Sequence, residues 1–121
     1  MKKVILIADD SPTIRKFVSF SLKAQGFDVI VACDGMEAVE LLPTKNIDLI
    51  ITDLNMPNMD GFELIKAIRE NQSNKDIPII ILSSLKGSEE IERGLKVGAN
   101  SYMVKPFDPK RIQYEVSKYI N

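Results

Sequence analysis

At 121 residues, with 45% hydrophobic and 27% charged content, the chain is long enough for one domain with its own core and ordinary for a globular protein. A formal net charge of −1 excludes the basic excess that a nucleic-acid-binding surface needs, and a single cysteine, Cys33, excludes an internal disulfide and fits a reducing compartment. The first apolar run, Val4 to Ala8, is too short for a signal peptide or a membrane span, so a cytoplasmic protein without membrane contact is expected.

Val4 to Ala8 reads as a first strand that stops at Asp9-Asp10. Ser11-Pro12 then supplies a helix N-cap followed by proline at the first helical position. Ile14, Phe17, Val18, Ser21 and Leu22 fall on one face of that helix, and Gly26 ends it. Val29 to Ala32 is a second strand and Asp34-Gly35 a break. Met36, Val39 and Leu42 mark a short second helix that closes near Pro43. Ile47 to Thr52 is the third strand, and Gly61 to Glu70 the third helix, with Phe62, Ile65 and Ile68 on one side. Asn71 to Asp76 is polar and aperiodic, so it is read as a connection. Pro78 to Leu82 is the fourth strand, ending at Ser83-Ser84. Ser88 to Val97 is the fourth helix, weakened by the internal Gly94. Ser101 to Val104 is the fifth strand, and Lys110 to Ile120 the last helix, with Ile112, Val116, Tyr119 and Ile120 inward.

Five strands alternating with five helices imply an α/β domain with a parallel sheet, right-handed crossovers and helices on both faces. No repeat or linker interrupts the pattern, so residues 1–121 are expected to form one domain with no output module attached.

The stretch Asp48 to Gly61 organises the rest. The apolar run Leu49-Ile50-Ile51 suits a strand buried on both faces, and loop formers follow Asp53 at once. Asp53 therefore belongs at the carboxyl end of a central strand, where open α/β sheets bind their ligands. Polar residues recur at the other strand ends: Asp9 and Asp10, Ser83, and Lys105. In a parallel sheet these ends share one edge. Three carboxylates meeting there repel one another unless a cation joins them, and hard oxygen ligands suit Mg²⁺. An aspartate held against such an ion is a nucleophile toward a phosphoryl group, with metal and lysine neutralising the transferring charge. Singly, each residue has a plainer reading: Asp9 or Asp10 as a helix-terminal charge, Asn55 as turn chemistry, Tyr102 as half-buried packing. The coincidence of Asp9, Asp10, Asp53, Ser83 and Lys105 at one edge favours the site.

The chain resembles the receiver domain of two-component response regulators, most nearly the stand-alone chemotaxis regulators of the CheY type. The residues that carry the resemblance are the Asp9-Asp10 pair, the D-x-N-M-P-x-M-D-G run from Asp53, Ser83, and G-A-N-S-Y-M-V-K-P-F from Gly98. The resemblance covers the chain from Val4 onward and implies a doubly wound, flavodoxin-like sheet in order 2-1-3-4-5, a topology for which this protein type is itself a standard example. It implies that Asp53 accepts phosphate from a histidine kinase. Asp10, Asp53 and the backbone carbonyl of Asn55 would bind Mg²⁺ directly, and Asp9 through water. Ser83 would hydrogen-bond the phosphoryl oxygen and Lys105 would pair with it. Tyr102 would move between outward and inward rotamers. A changed surface on the fourth helix, fifth strand and fifth helix would then select a downstream protein: a motor, an enzyme or a phosphotransfer protein. A monomer that catalyses only its own phosphorylation and dephosphorylation is implied, in chemotaxis or motility. The alternatives are a phosphorelay intermediate and a phosphate-independent docking module on the same fold. The resemblance also implies a cis Lys105-Pro106 bond, against the base rate of about 5–6% for such bonds. Leu85 stands where some fast-dephosphorylating relatives carry an acid or amide, so slower loss of phosphate is expected.

Overall fold

Isoleucines that alternate between two buried layers build the sheet. The computed structural model describes residues 2–105 and 108–121. Five parallel strands, β1 (Val4–Ala8), β2 (Asp28–Ala32), β3 (Leu49–Thr52), β4 (Ile79–Ser83) and β5 (Ser101–Val104), lie in the order β2-β1-β3-β4-β5. β3 and β4 are buried along their whole length, whereas the edge strand β2 is partly exposed. Successive side chains point to opposite faces. Leu6, Ile50, Ile79 and Ile81 pack into one layer with Leu64, Ile65 and Ile68 of α3 (Gly61–Glu70). Ile5, Ile7, Ile51 and Ile80 pack into the other with Val18 and Leu22 of α1 (Pro12–Lys23) and Ile112 and Val116 of α5 (Pro109–Ser117).

Burying each such side chain is worth about 1.5–3 kcal/mol. A one-residue slip of β3 would send Ile50 and Ile51 to the wrong layers, so the register is strongly specified. That register pairs Ala8 with Ala32 and Thr52, and Ser83 with Val104. The strands consequently finish level with one another, which places the residues after them at one edge.

Local signals set most helix starts. The Ser11 hydroxyl accepts from the Ile14 amide at 3.3 Å, and Asp60 and Glu63 form a reciprocal capping box at the start of α3. Asp108 accepts from the Arg111 amide at 2.8 Å and caps α5. α2 (Gly35–Leu41) is capped by Asp34 and runs into a 3₁₀ turn at Leu42–Thr44.

Several expectations need correction. Ile47 is buried but precedes β3, because a side chain can enter the core without its backbone joining a ladder. Likewise Tyr119 and Ile120 pack on the core beyond the end of α5. Met36 is 48% exposed, so Ala38 joins the expected Val39 and Leu42 against the core in its place. Gly94 of α4 (Ser88–Val97) is a packing contact as well as a weak helix former. A Cβ there would lie 2.5 Å from Ile81 Cδ1, so only glycine lets α4 approach β4 this closely. Pro106, and with it the isomer of the Lys105-Pro106 bond, lies outside the described residues.

Candidate functional site

The backbone ladder runs one step past three strand ends and thereby fixes the site's framework. Asp9 N–H donates to Ala32 O at 3.1 Å, Asp53 N–H to Ala8 O at 2.9 Å, and Lys105 N–H to Ser83 O at 2.8 Å. Carboxylate oxygens of Asp9, Asp10 and Asp53 all lie within 4.8 Å of one another. Lys105 Nζ reaches Asp9 Oδ2 at 3.1 Å and Asp53 Oδ2 at 3.2 Å. The expected convergence of three acids and one lysine is therefore present.

The acids differ in what else they touch. Asp9 is 2% exposed, and its Oδ1 accepts from the Ser11 amide at 2.9 Å, so both its oxygens are engaged. Asp53 is also buried, and its Oδ1 accepts from the Leu54 amide at 2.7 Å. Asp10 is exposed and offers its carboxylate at the mouth. Burial pushes the Asp53 carboxyl above the usual carboxylate range, and the charge on Asp9 adds to this. Lys105 and the Leu54 amide oppose the rise without cancelling it. Burial by itself would lower the Lys105 pKa; attraction by Asp53 and Asp9 outweighs it and holds the ammonium above its ordinary value.

One lysine thus pairs with two carboxylates while a third lies beside them, and the surplus is negative. The donor set is all oxygen, partly wet through Asp10 and partly enclosed through Asp9 and Asp53. These residues fit a hard divalent cation that keeps several waters, which is the behaviour of Mg²⁺.

The loop that follows Asp53 is held by close backbone contact. Gly61 N–H donates to Leu54 O at 2.9 Å, and a Cβ at Gly61 would lie 2.1 Å from Asp53 O. No other residue fits there without moving the acid's own carbonyl. Asn55 sits two residues after Asp53 with an exposed side chain. Ser83 ends β4, is 1% exposed, and its hydroxyl oxygen accepts from the Leu85 amide at 3.1 Å. Tyr102 of β5 is half-buried, and its hydroxyl donates to Leu85 O at 2.6 Å. Burial raises the Tyr102 pKa, partly offset by the Ser83 hydroxyl. Ser83, Leu85 and Tyr102 are therefore linked through the loop between β4 and α4. The Leu85 side chain packs against the core cluster under α3.

Two residues at this edge carried no functional signal in sequence. Asp34, read as a break, is buried, and its Oδ2 accepts from the Asn58 side-chain amide at 2.7 Å. Asn58, read as a turn former, adopts φ 67°, a conformation that asparagine tolerates better than most residues. An asparagine inside a tight loop was the available clue, but its partner lies 24 positions away.

A doubly wound sheet with an acid cluster and a lysine at its carboxyl edge defines the receiver class of α/β domain. Residues 5–117 match the response regulator receiver domain, and the chain belongs to that family. It is similar to a chemotaxis protein CheY homolog of Campylobacter jejuni, at 44% identity over 109 residues, covering 88% of this chain and 83% of that one. It is 38% identical over 116 residues to the probable transcriptional regulator ycf27 of Cyanidium caldarium. That match covers 96% of this chain but 45% of the relative, so the chain spans about half the length of such regulators. The solved chemotaxis protein CheY4 of Vibrio cholerae superposes with a TM-score of 0.94 at 37% identity, covering 99% of this chain and all of that one. Among the described residues, no helix is long and apolar enough to cross a membrane.

Proposed function

We propose that this receiver domain is a phosphorylation-driven switch in which Asp53 accepts a phosphoryl group from a histidine kinase. The observation that carries the reading is the meeting of Asp9, Asp10 and Asp53 within 4.8 Å, with Lys105 about equally close to two of them. By the resemblance to receiver domains, Asp10, Asp53 and the carbonyl of Asn55 would hold Mg²⁺, with Asp9 acting through water. When bound, the ion neutralises charge on the transferring phosphoryl group.

The chain's own residues do the rest. Asp53 supplies the attacking oxygen; the phosphorus–nitrogen bond of the donor breaks, and the histidine nitrogen takes up a proton. Lys105 exchanges a carboxylate partner for a phosphoryl oxygen. Ser83 turns its hydroxyl toward another. Shifting a two-state equilibrium from 1:99 to 99:1 needs about 5.5 kcal/mol, and one charge-assisted bond supplies about 1.5–3. Both contacts are therefore needed. Moving Ser83 disturbs the Leu85 segment that holds the Tyr102 hydroxyl, which alters the surface of α4, β5 and α5. That surface would select a motor, enzyme or phosphotransfer protein in chemotaxis or motility, with the chain acting as a cytoplasmic monomer and on no external substrate. Leu85 offers no side-chain hydrogen bond to an attacking water, so phosphate is lost slowly.

The test is intact-protein mass spectrometry after incubation with a small phosphodonor and Mg²⁺. The chain gains one phosphoryl group and the Asp53→Asn variant gains none. Equal labelling of both would remove Asp53 from the role.

A further inference from the structure

The loop that carries Asn55 is fastened not only at its own ends but to the start of α2. Asn58 Nδ2 donates to Asp34 Oδ2 at 2.7 Å, while Asp34 Oδ1 accepts from the Glu37 amide at 2.8 Å. One position further on, Gly35 N–H donates to Met59 O at 3.1 Å. A Cβ at Gly35 would lie 2.6 Å from that same carbonyl oxygen, so the two backbones touch. Asp34 is 7% exposed, and both of its oxygens are used. Inside the loop, Met59 N–H donates to Pro57 O at 2.7 Å, and Met56 is buried in the core. Asn58 adopts a φ of 67° in this arrangement, in the left-handed region that residues with a Cβ seldom occupy.

A loop that only needed to connect β3 to α3 would not require an outlying backbone conformation locked by a buried carboxylate from another element. We propose that Asp34 is a positioning residue: with Asn58 and Met59 it latches the β3–α3 loop to α2 and so sets where the Asn55 carbonyl stands toward the divalent cation. The inference deepens the reading of the acid cluster as a Mg²⁺ site and rests on it. Groups behind metal ligands typically change metal affinity about 10–100-fold when removed. A carbonyl ligand carried by a loop depends on such support more than Asp9 or Asp53, whose backbone is held by the sheet ladder itself.

The chemistry of the pair offers a swap. In Asn58→Asp two carboxylates face each other and the latch opens. In the double variant Asp34→Asn/Asn58→Asp, the amide introduced at position 34 donates to the carboxylate introduced at position 58, while its oxygen keeps the cap on Glu37. The experiment is isothermal titration of each folded chain with MgCl₂ alone, with unfolding free energies measured in EDTA alongside. Asn58→Asp should bind Mg²⁺ about tenfold more weakly, although it adds a negative charge near the site, and the double variant should return to within about twofold of the unaltered chain. Asp34→Ser, which keeps a cap for α2 but loses Asn58, should weaken binding by a similar factor. Unchanged Mg²⁺ affinity in Asn58→Asp and Asp34→Ser, alongside its loss in Asp53→Asn, would overturn the latch and leave the acid cluster intact. Weakening that merely follows a loss of unfolding free energy, without recovery in the double variant, would also overturn it. No Mg²⁺ binding by the unaltered chain would remove both the latch and the site reading.

Discussion

Two cations stand at opposite ends of the sheet, and they are treated differently. Arg69, at the end of α3, lies by the entry to β4 and β5. Its Nε and Nη2 donate to Gly98 O at 3.0 and 2.8 Å, and Nη2 also reaches Asn100 Oδ1 at 2.9 Å. Its Nη1 donates to Lys75 O at 2.9 Å and Ile77 O at 2.6 Å. Every donor of the guanidinium fork is used, and every acceptor is a neutral oxygen. Asn100 Oδ1 in turn accepts from the Ile79 amide at 2.9 Å, which ties the start of β4 to the same cluster. At the other end, Lys105 faces two carboxylates with a third nearby, and the charges do not balance. The saturated end holds three segments together and has nothing left to offer a ligand. The unbalanced end is less comfortable by itself, and for that reason an added cation changes its energy.

The largest effect should come from breaking the saturated end. Arg69→Met strands several partly buried acceptors and should lower the unfolding free energy by about 3 kcal/mol in urea denaturation, while the folded variant still binds Mg²⁺. A loss below about 0.5 kcal/mol would end the contrast. Next, Mg²⁺ at about ten times its dissociation constant should stabilise the chain by about 1.4 kcal/mol, because it binds the folded state alone. Asp10→Asn should lose that gain and Arg69→Met should keep it.

A smaller effect concerns Asp53 in EDTA. Its folded-state pKa is raised, chiefly by burial, so the folded chain holds this proton more tightly than the unfolded chain. The stabilisation is full below the unfolded value of about 3.9 and is lost as pH rises through the folded value. Asp53→Asn should therefore gain over the unaltered chain as pH rises through that window, because the amide carries no buried charge to desolvate. A difference that shrinks with rising pH would contradict the imbalance. The smallest expected effect lies between the two ends. Gly94→Ala gains about 1 kcal/mol of helix propensity but presses on Ile81 Cδ1 and, at 3.3 Å, on Tyr102 Cδ2. Overpacking costs about 1–3 kcal/mol, so a slight net loss is expected, with a shift of the Tyr102 ring signals in NMR and none around Arg69.

Much of the fold was legible. The bounds of β1, α3, α4 and β5 follow from signals within a few residues: an apolar run stopped by Asp9-Asp10, the Asp60–Glu63 capping box, the glycine after Val97, and the lysine after Val104. Errors arose where packing and hydrogen bonding part company, as at Ile47 before β3 and at Tyr119 and Ile120 after α5. The acid cluster was legible because a parallel sheet brings strand ends to one edge by symmetry of its connections. Asp34 and Asn58 were not, since each has an ordinary local use and their contact spans two loops. Arg69 was equally silent, because its partners are mostly backbone carbonyls, which every residue carries.

The sequence by itself determined the alternation of strands and helices, the strand ends on which Asp9, Asp10, Asp53, Ser83 and Lys105 stand, and the family to which they point. These depend on local polarity, capping and spacing. Only the tertiary structure decided which acid is enclosed and which is open, that Lys105 bridges Asp9 and Asp53, and that Asp34 and Arg69 pin distant segments. Those outcomes depend on distances between side chains and backbone atoms far apart in the chain, which are set by the register of the sheet and the packing of its two layers.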